Sequence, residues 1–258
     1  KSLGEWLKEQ GIPGLYGVDT RELTKQLREH GVMLGKVVLD DDVGFEDPNV
    51  NNLVAEVSCK EKTVYKRGPT KVVLVDCGVK NSIIRCFLKR DVTVIRVPWN
   101  YDFSKEEYDG LFISNGPGDP KMCKETISNV RKALDEDKPI FGICLGNQIL
   151  NLAAGGDTYK LKYGHRSQNQ PCVEVGTKRC YITPQNHGFA NDEKTLPSGW
   201  EPWFKNVNDD TNEGIKHETK PFFSVQFHPE ANCGPVDTEF LFDKFVEFID
   251  GCPLVAHN

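Results

Sequence analysis

Two stretches of this sequence hold residues able to do covalent chemistry together. The first runs from Lys138 to Gly155, KPIFGICLGNQILNLAAG, and is centred on Cys144. Ile140 to Ile143 is a short apolar run set off by Pro139 from the charged residues before it. Leu145 to Ala154 is an apolar-rich segment closed by Gly155 and Gly156. That order predicts a strand, a tight turn and a helix. Gly142 and Gly146 flank the cysteine two residues to either side, and a residue at the apex of such a turn needs small neighbours because it is crowded from both sides. At a helix N-terminus, free N–H groups and the dipole favour a thiolate over a thiol. The N–H of Leu145 points to where an oxyanion would form. A nucleophilic cysteine is one reading of this pattern; a buried, inert thiol beside a glycine-rich turn is the other.

The second stretch is Phe223 to Glu230, FSVQFHPE. It alternates like a strand, and side chains two apart on an extended backbone share a face. A residue before proline is pushed towards extended geometry, so His228 and Glu230 can lie side by side with the carboxylate orienting the imidazole. That is the base and orienting partner a cysteine nucleophile uses. Alone, the tripeptide reads better as a strand-capping histidine with a solvated glutamate; the cysteine turn upstream on an α/β sheet reverses that towards chemistry. His165, His187, His217 and His228 share no ligand spacing and no H-E-x-x-H is present, so no metal site is expected.

Other elements must position these residues. From Lys71 the sequence alternates strands (72–75, 92–97, 111–114, 140–143) with helices (81–89, 126–134), in near-continuous Val/Ile/Leu runs. This predicts an α/β fold with a mostly parallel central sheet and flanking helices. Ligands in such sheets bind beyond the carboxyl ends of strands. Two glycine-rich turns fall there: Asn115 to Pro120 (NGPGDP) and the Cys144 turn. After Gly156 the chain is more strand-rich, with strands expected at 159–163, 172–175, 180–183 and 222–227, and it closes on an amphipathic helix over 237–249. Residues 1–66 read as a small leading segment, with helical spacing at Leu3, Trp6 and Leu7, a helix from Arg21 to His30, a strand from Met33 to Leu39 and a loop over 40–52. A boundary is expected across the polar, Gly-Pro-containing YKRGPT at 65–70.

Composition sets bounds. A chain of 258 residues can bury a sizeable core. A net charge of −6 gives no reason to expect nucleic acid, and no apolar run reaches membrane-spanning length. Nine cysteines without a C-x-x-C pair suit a reducing compartment better than a disulfide framework. A start at Lys1 with no signal-like segment is expected of an excised or processed piece.

PIFGICLGNQ, FISNGPGDP, QNHGFA and SVQFHPE together resemble a class I glutamine amidotransferase, in particular the amidotransferase part of carbamoyl-phosphate synthetases. GIPGLYGVDTRELTKQLREHGVMLGK resembles the region that joins that family's N-terminal domain to its amidotransferase domain. The resemblance runs from Lys1 to about Asp250, and implies the C-terminal part of that N-terminal domain over 1–66 and the amidotransferase domain over 71–250. It implies Cys144 as nucleophile, His228 as general acid/base and Glu230 as its partner. Gly116 and Gly118 would hold L-glutamine and supply an oxyanion-hole N–H opposite Leu145; Gln148, Asn186, Gly188 and Phe189 would be the remaining glutamine contacts. Gln148 also lies one helical turn from Cys144, where its amide can reach a substrate at the thiol.

There is no G-x-x-x-x-G-K-[ST] phosphate loop, so no cofactor is expected in this chain. ATP, bicarbonate and Mg belong, by the resemblance, to a synthetase partner that receives the ammonia. Two departures bear on turnover: Asn147 stands where most members carry histidine, and HRSQNQP (165–171) stands where they tend to have HHGGNHP. These, with NVNDDTNEGIKHETKPFF (206–223), look like the mitochondrial urea-cycle branch, which uses free ammonia and keeps this domain as a structural or regulatory part. The resemblance thus favours the mitochondrial matrix over the cytoplasm and leaves a catalytically silent domain as the competing reading. A γ-glutamyl hydrolase on the same scaffold is a third, opposed by the GVDTRELT segment.

Overall fold

A computed structural model describes residues 1–231 and 234–251, and the chain divides into two compact units between Phe45 and Glu46. In the leading unit, α1 (Leu3–Glu9) starts at a capping box of Ser2 and Glu5, and α2 (Thr20–His30) starts where the Asp19 carboxylate accepts the Glu22 N–H at 2.9 Å. Trp6, Leu23 and Leu27 give both helices an apolar stripe, yet each stays close to half exposed. The strand expected over 33–39 does not form. An extended segment needs a neighbouring ladder to take its backbone groups, and none of the described residues of this unit provides one.

The second unit runs α3 (Leu53–Val57), β1 (Thr63–Tyr65), β2 (Lys71–Asp76), α4 (Asn81–Lys89), β3 (Thr93–Pro98), β4 (Gly110–Ile113), α5 (Lys124–Ala133), β5 (Ile140–Ile143), α6 (Leu145–Ala154), β6 (Asp157–Glu174), β7 (Cys180–Asp192), β8 (Trp200–Asn206), β9 (Asn212–His217), β10 (Phe222–Val225) and α7 (Phe240–Ile249). Its strands make one ten-stranded sheet in the order β1-β3-β2-β4-β5-β10-β9-β8-β6-β7. β3, β2, β4, β5 and β10 are parallel neighbours; from β10 through β9, β8 and β6 to β7 the pairing is antiparallel. β1 pairs antiparallel with β3 on the far edge. Residues 46–65 therefore pack with the sheet, and the division lies upstream of the 65–70 boundary expected from the Gly-Pro break.

The parallel strands are apolar on both faces because both are covered. One face carries Phe112, Phe141 and Phe223 against Phe87 of α4 and Phe242 and Phe245 of α7, in largely edge-to-face contacts. The other carries Val73, Val75, Leu111 and Ile113 against Val130 of α5 and Ile149 and Leu150 of α6. The strands expected at 159–163 and 172–175 are one long strand, β6. Its pairing with β7 is interrupted between Lys160 and His165 and between Ser167 and Gln170, irregularities that bend the ribbon. β8 and β9 have no counterpart in the sequence reading, since WEPWFKN and NEGIKH carry proline, glycine and charge instead of clean alternation.

At the carboxyl end of β2, Asp76 is fully buried. Its Oδ1 accepts the N–H groups of Gly78 and Val79 at 2.9 and 2.8 Å, and Oδ2 accepts from Arg96 Nε and Nη2 and from the Cys59 N–H. Burial pushes this carboxyl up, but those donors outweigh it and hold it below its ordinary range. Removing one partner of a buried ion pair strands the other charge. Asp76→Ala should therefore cost about 3–5 kcal/mol in urea unfolding, whereas Glu107→Ala, which breaks the exposed Lys71 pair, should leave the urea midpoint nearly unchanged.

Candidate active site

Four strand ends and one ribbon surround a cleft of about 560 Å³ at the carboxyl edge of the parallel strands. Cys144 stands between β5 and α6 with φ +55° and ψ −104°, a left-handed conformation that a non-glycine residue rarely adopts. Backbone contact leaves no room for side chains beside it. A Cβ on Gly142 would lie 2.6 Å from the Gly146 carbonyl oxygen, and one on Gly146 would lie 2.1 Å from that of Ile113. The Cys144 N–H donates to Val225 at 2.8 Å, tying the turn to the end of β10. The thiol lines the cleft, at 5% exposure for the residue.

Immediately beyond β10, the His228 N–H donates to Pro184 of β7 at 3.0 Å, and the ring is set between Cys144 and Glu230. Its Nδ1–H donates to Glu230 Oε1 at 2.7 Å, which leaves Nε2 for the sulfur. Burial lowers the ring's pKa, but the charges of Glu230 and then Cys144 outweigh burial and raise it to about 10. Glu230 is held below its ordinary range against its own burial, chiefly by His228 and also by Lys80, whose Nζ lies 3.2 Å from Oε1.

The Asn115–Gly118 turn closes the opposite wall. A Cβ on Gly116 would meet the Cys77 carbonyl oxygen at 2.1 Å and the Leu145 side chain at 2.7 Å, so only glycine lets this turn approach the start of α6. Gly118 has φ +85°. Cysteine, imidazole, carboxylate and a glycine turn at one cleft are the groups that a nucleophile with a base and an oxyanion site would need.

Residues 73–248 match the family model described as Glutamine amidotransferase class-I. The chain belongs to that family. Residues 1–37 match the Carbamoyl-phosphate synthase small chain, CPSase domain. The chain is 56% identical over 253 residues to the human "Carbamoyl-phosphate synthase [ammonia], mitochondrial", covering 96% of this chain and 17% of that protein. It is 55% identical over 254 residues to the "Multifunctional protein CAD" of Squalus acanthias, covering 96% of this chain and 11% of that protein. The chain thus spans less than a fifth of the length of either relative. Among solved structures, one assigned as a GMP synthase component from Thermoplasma acidophilum superimposes with a TM-score of 0.60 at 25% identity, covering 71% of this chain and 94% of that one. A glutamine amidotransferase from Thermotoga maritima gives 0.53 at 18% identity, covering 63% and 76%, and shares the fold.

Cys144, Leu145, Gln148, Gly116, Gly118, Asn186, Gly188, Phe189 and His228 all line the cleft, while Glu230 lies behind His228. Gln148 Nε2 donates to the Phe189 carbonyl at 2.8 Å and to Gln226 Oε1 at 3.0 Å, so its carbonyl oxygen is the group left to offer a ligand. Asn147 does not face the cleft. It donates to Gln226 Oε1 at 3.1 Å and accepts from Ser224 Oγ at 2.8 Å, buried beneath the helix.

Lys80 was not singled out from sequence, although Cys77-Gly78-Val79-Lys80 follows a parallel strand and the rule of carboxyl ends applies to it as to NGPGDP. The same is true of Arg166 and Gln168, which put two members of HRSQNQP on the cleft wall. The histidine spacing also concealed a cluster. His165 and His187 are cross-strand neighbours on β6 and β7, and with Glu213 of β9 their ligand atoms lie within 4.8 Å of one another.

Gly146→Ala should abolish reactivity of the Cys144 thiol towards alkylating agents along with proper packing of α6, measured as labelling rate and thermal midpoint. A histidine whose folded pKa exceeds its unfolded value stabilises the fold fully below the unfolded value and less as pH climbs to the folded one. Between pH 6.5 and about 10 the unmodified chain should therefore lose stability that His228→Gln does not lose. Urea midpoints across that window check the difference in slope.

Proposed function

We propose that the chain hydrolyses L-glutamine to glutamate and ammonia, and that the ammonia passes to a carbamoyl-phosphate synthetase domain or subunit. The observation that carries this reading is the His228 ring hydrogen-bonded to Glu230 at 2.7 Å and turned to Cys144 at the end of the neighbouring strand. The Cys144 thiolate attacks the side-chain amide carbon, and the oxyanion is held by the Leu145 N–H and an N–H of the Gly116 turn. His228 gives its proton to the departing ammonia and leaves a γ-glutamyl thioester. It then takes a proton from water, whose attack breaks the thioester, releases glutamate and regenerates the thiolate beside the protonated ring. Loss of one oxyanion donor in such sites typically costs about 2.7–4 kcal/mol of activation free energy.

Gln148, Asn186, Gly188 and Phe189 would hold the amino-acid end of glutamine, with the Gln148 carbonyl oxygen suited to accept from an ammonium group. Lys80, beside Glu230, would help keep that carboxylate ionised. ATP, bicarbonate and Mg would serve the synthetase. Identities of 56% to a mitochondrial ammonia-type relative and 55% to a CAD protein stand almost level. The HRSQNQP and 206–223 stretches favour the mitochondrial matrix and a role in urea or arginine formation.

A second reading, a silent regulatory amidotransferase-like domain, is favoured by that same ammonia-type relative and by Asn147. Against it, Asn147 makes its hydrogen bonds away from the cleft, and the reacting set is intact. Purified chain should release glutamate from glutamine, with Cys144→Ala reducing the rate to background and a glutamine-mimicking diazoketone labelling Cys144 in competition with glutamine. Equal turnover by Cys144→Ala would remove the hydrolase reading; absence of both turnover and glutamine-protected labelling, with and without the synthetase, would establish the silent one.

A further inference from the structure

We propose that His165, His187 and Glu213 form a binding site for a divalent transition-metal ion of zinc type, placed behind the β6–β7 wall of the cleft. His165 Nδ1 lies 3.0 Å from Glu213 Oε1, and His187 Nε2 lies 3.7 Å from the same oxygen. Metal–ligand bonds of about 2.0–2.2 Å in a tetrahedron put donor atoms roughly 3.3–3.5 Å apart, so a small shift of side chains converts this cluster into a coordination shell. Two imidazoles and a carboxylate are a donor set zinc accepts.

The outer atoms of both rings are already engaged as those of metal-bound histidines are. His187 Nδ1–H donates to the Phe189 carbonyl at 2.8 Å, and His165 Nε2–H donates to Asp209 Oδ2 at 2.8 Å. With those protons outside, both inner nitrogens face a fully buried carboxylate whose Oε2 has no hydrogen-bond partner among the described residues, and a metal ion would take the place of the proton His165 shares with Glu213. Gln185 Oε1 adds a further oxygen, 2.8 Å from His165 Nδ1 and 3.1 Å from His187 Nε2, while its amide nitrogen faces Thr183 and Cys172. Acceptors thus converge from four side chains, and one proton between His165 and Glu213 cannot serve His187 as well. A cation satisfies all of them together. Because His187 lies between Asn186 and Gly188 on the cleft wall, an ion here would also fix the backbone of that wall.

Zinc is titrated into Cys144→Ala chain, which removes the competing thiol–imidazole pair, against a chromophoric chelator, and cobalt(II) is added in parallel. The expected result is one ion per chain, a tetrahedral cobalt spectrum without sulfur-to-metal charge transfer, and at least about tenfold weaker binding in Glu213→Gln and His165→Gln. If either of those variants unfolds by circular dichroism, Asp209→Asn, at the more exposed end of the chain of contacts, should still weaken binding about 10–100-fold. No binding, affinity unchanged in the folded variants, or a thiolate-type cobalt spectrum overturns the proposal. None of these outcomes depends on glutamine hydrolysis.

Discussion

A cysteine held at φ +55° between a strand and a helix costs on the order of 1–3 kcal/mol of backbone strain, and much of the second unit is arranged so that no relaxation is open to it. Its N–H is fixed by Val225. The chain on either side is pressed against Ile113 and against itself through Gly142 and Gly146. Gly116 presses on the Cys77 carbonyl and the Leu145 side chain in the same way. Apart from the Gly142–Gly146 contact within the turn, these contacts tie together the ends of neighbouring strands of the parallel sheet, so β2, β4, β5 and β10 together define one position for the sulfur. Strain of this kind persists only where the surroundings over-determine it.

The buried polar groups continue that logic. Asp76 gathers the loop after β2 around its carboxylate and so places Lys80 beside Glu230. Gln226 accepts from Asn147 and Gln148 together, which orients Gln148 from beneath the helix. Side chains that touch neither sulfur nor cleft therefore decide how the cleft is lined.

The parallel part of the fold was legible in the sequence because its signals are local. Continuous Val/Ile/Leu runs mark buried strands, and the stretches over 81–89 and 140–143 coincide with α4 and β5. The strand–turn–helix setting of Cys144 and the pairing of His228 with Glu230 were legible for the same reason, each place in a turn or strand end having its own requirement. The antiparallel ribbon was less so. β6 breaks register twice, β8 holds a proline, and β9 opens on Asn-Glu-Gly, so alternation fails where pairing nevertheless succeeds. The strand expected over 33–39 failed in the opposite direction, having the composition but no neighbour to pair with. Lys80 and the His165–His187–Glu213 cluster depend on which strands adjoin, and spacing along one chain does not encode that.

The hydrogen-bonded register of β5 against β10 reaches from Ile140 and Phe222 to Ile143 and Val225, and both the thiol and the imidazole emerge within three residues of its end. Two groups mounted on adjacent rungs of one ladder move as a piece. A hinge between domains has no purchase on their separation, and a shear large enough to part them would have to unzip the middle of the sheet. Any outside influence on this pair must therefore work at the rim, through the loops that bear Lys80 and Asn115 and the ribbon that bears Arg166. It would act as a tuner of access and charge, with the placement of the pair left as the sheet sets it.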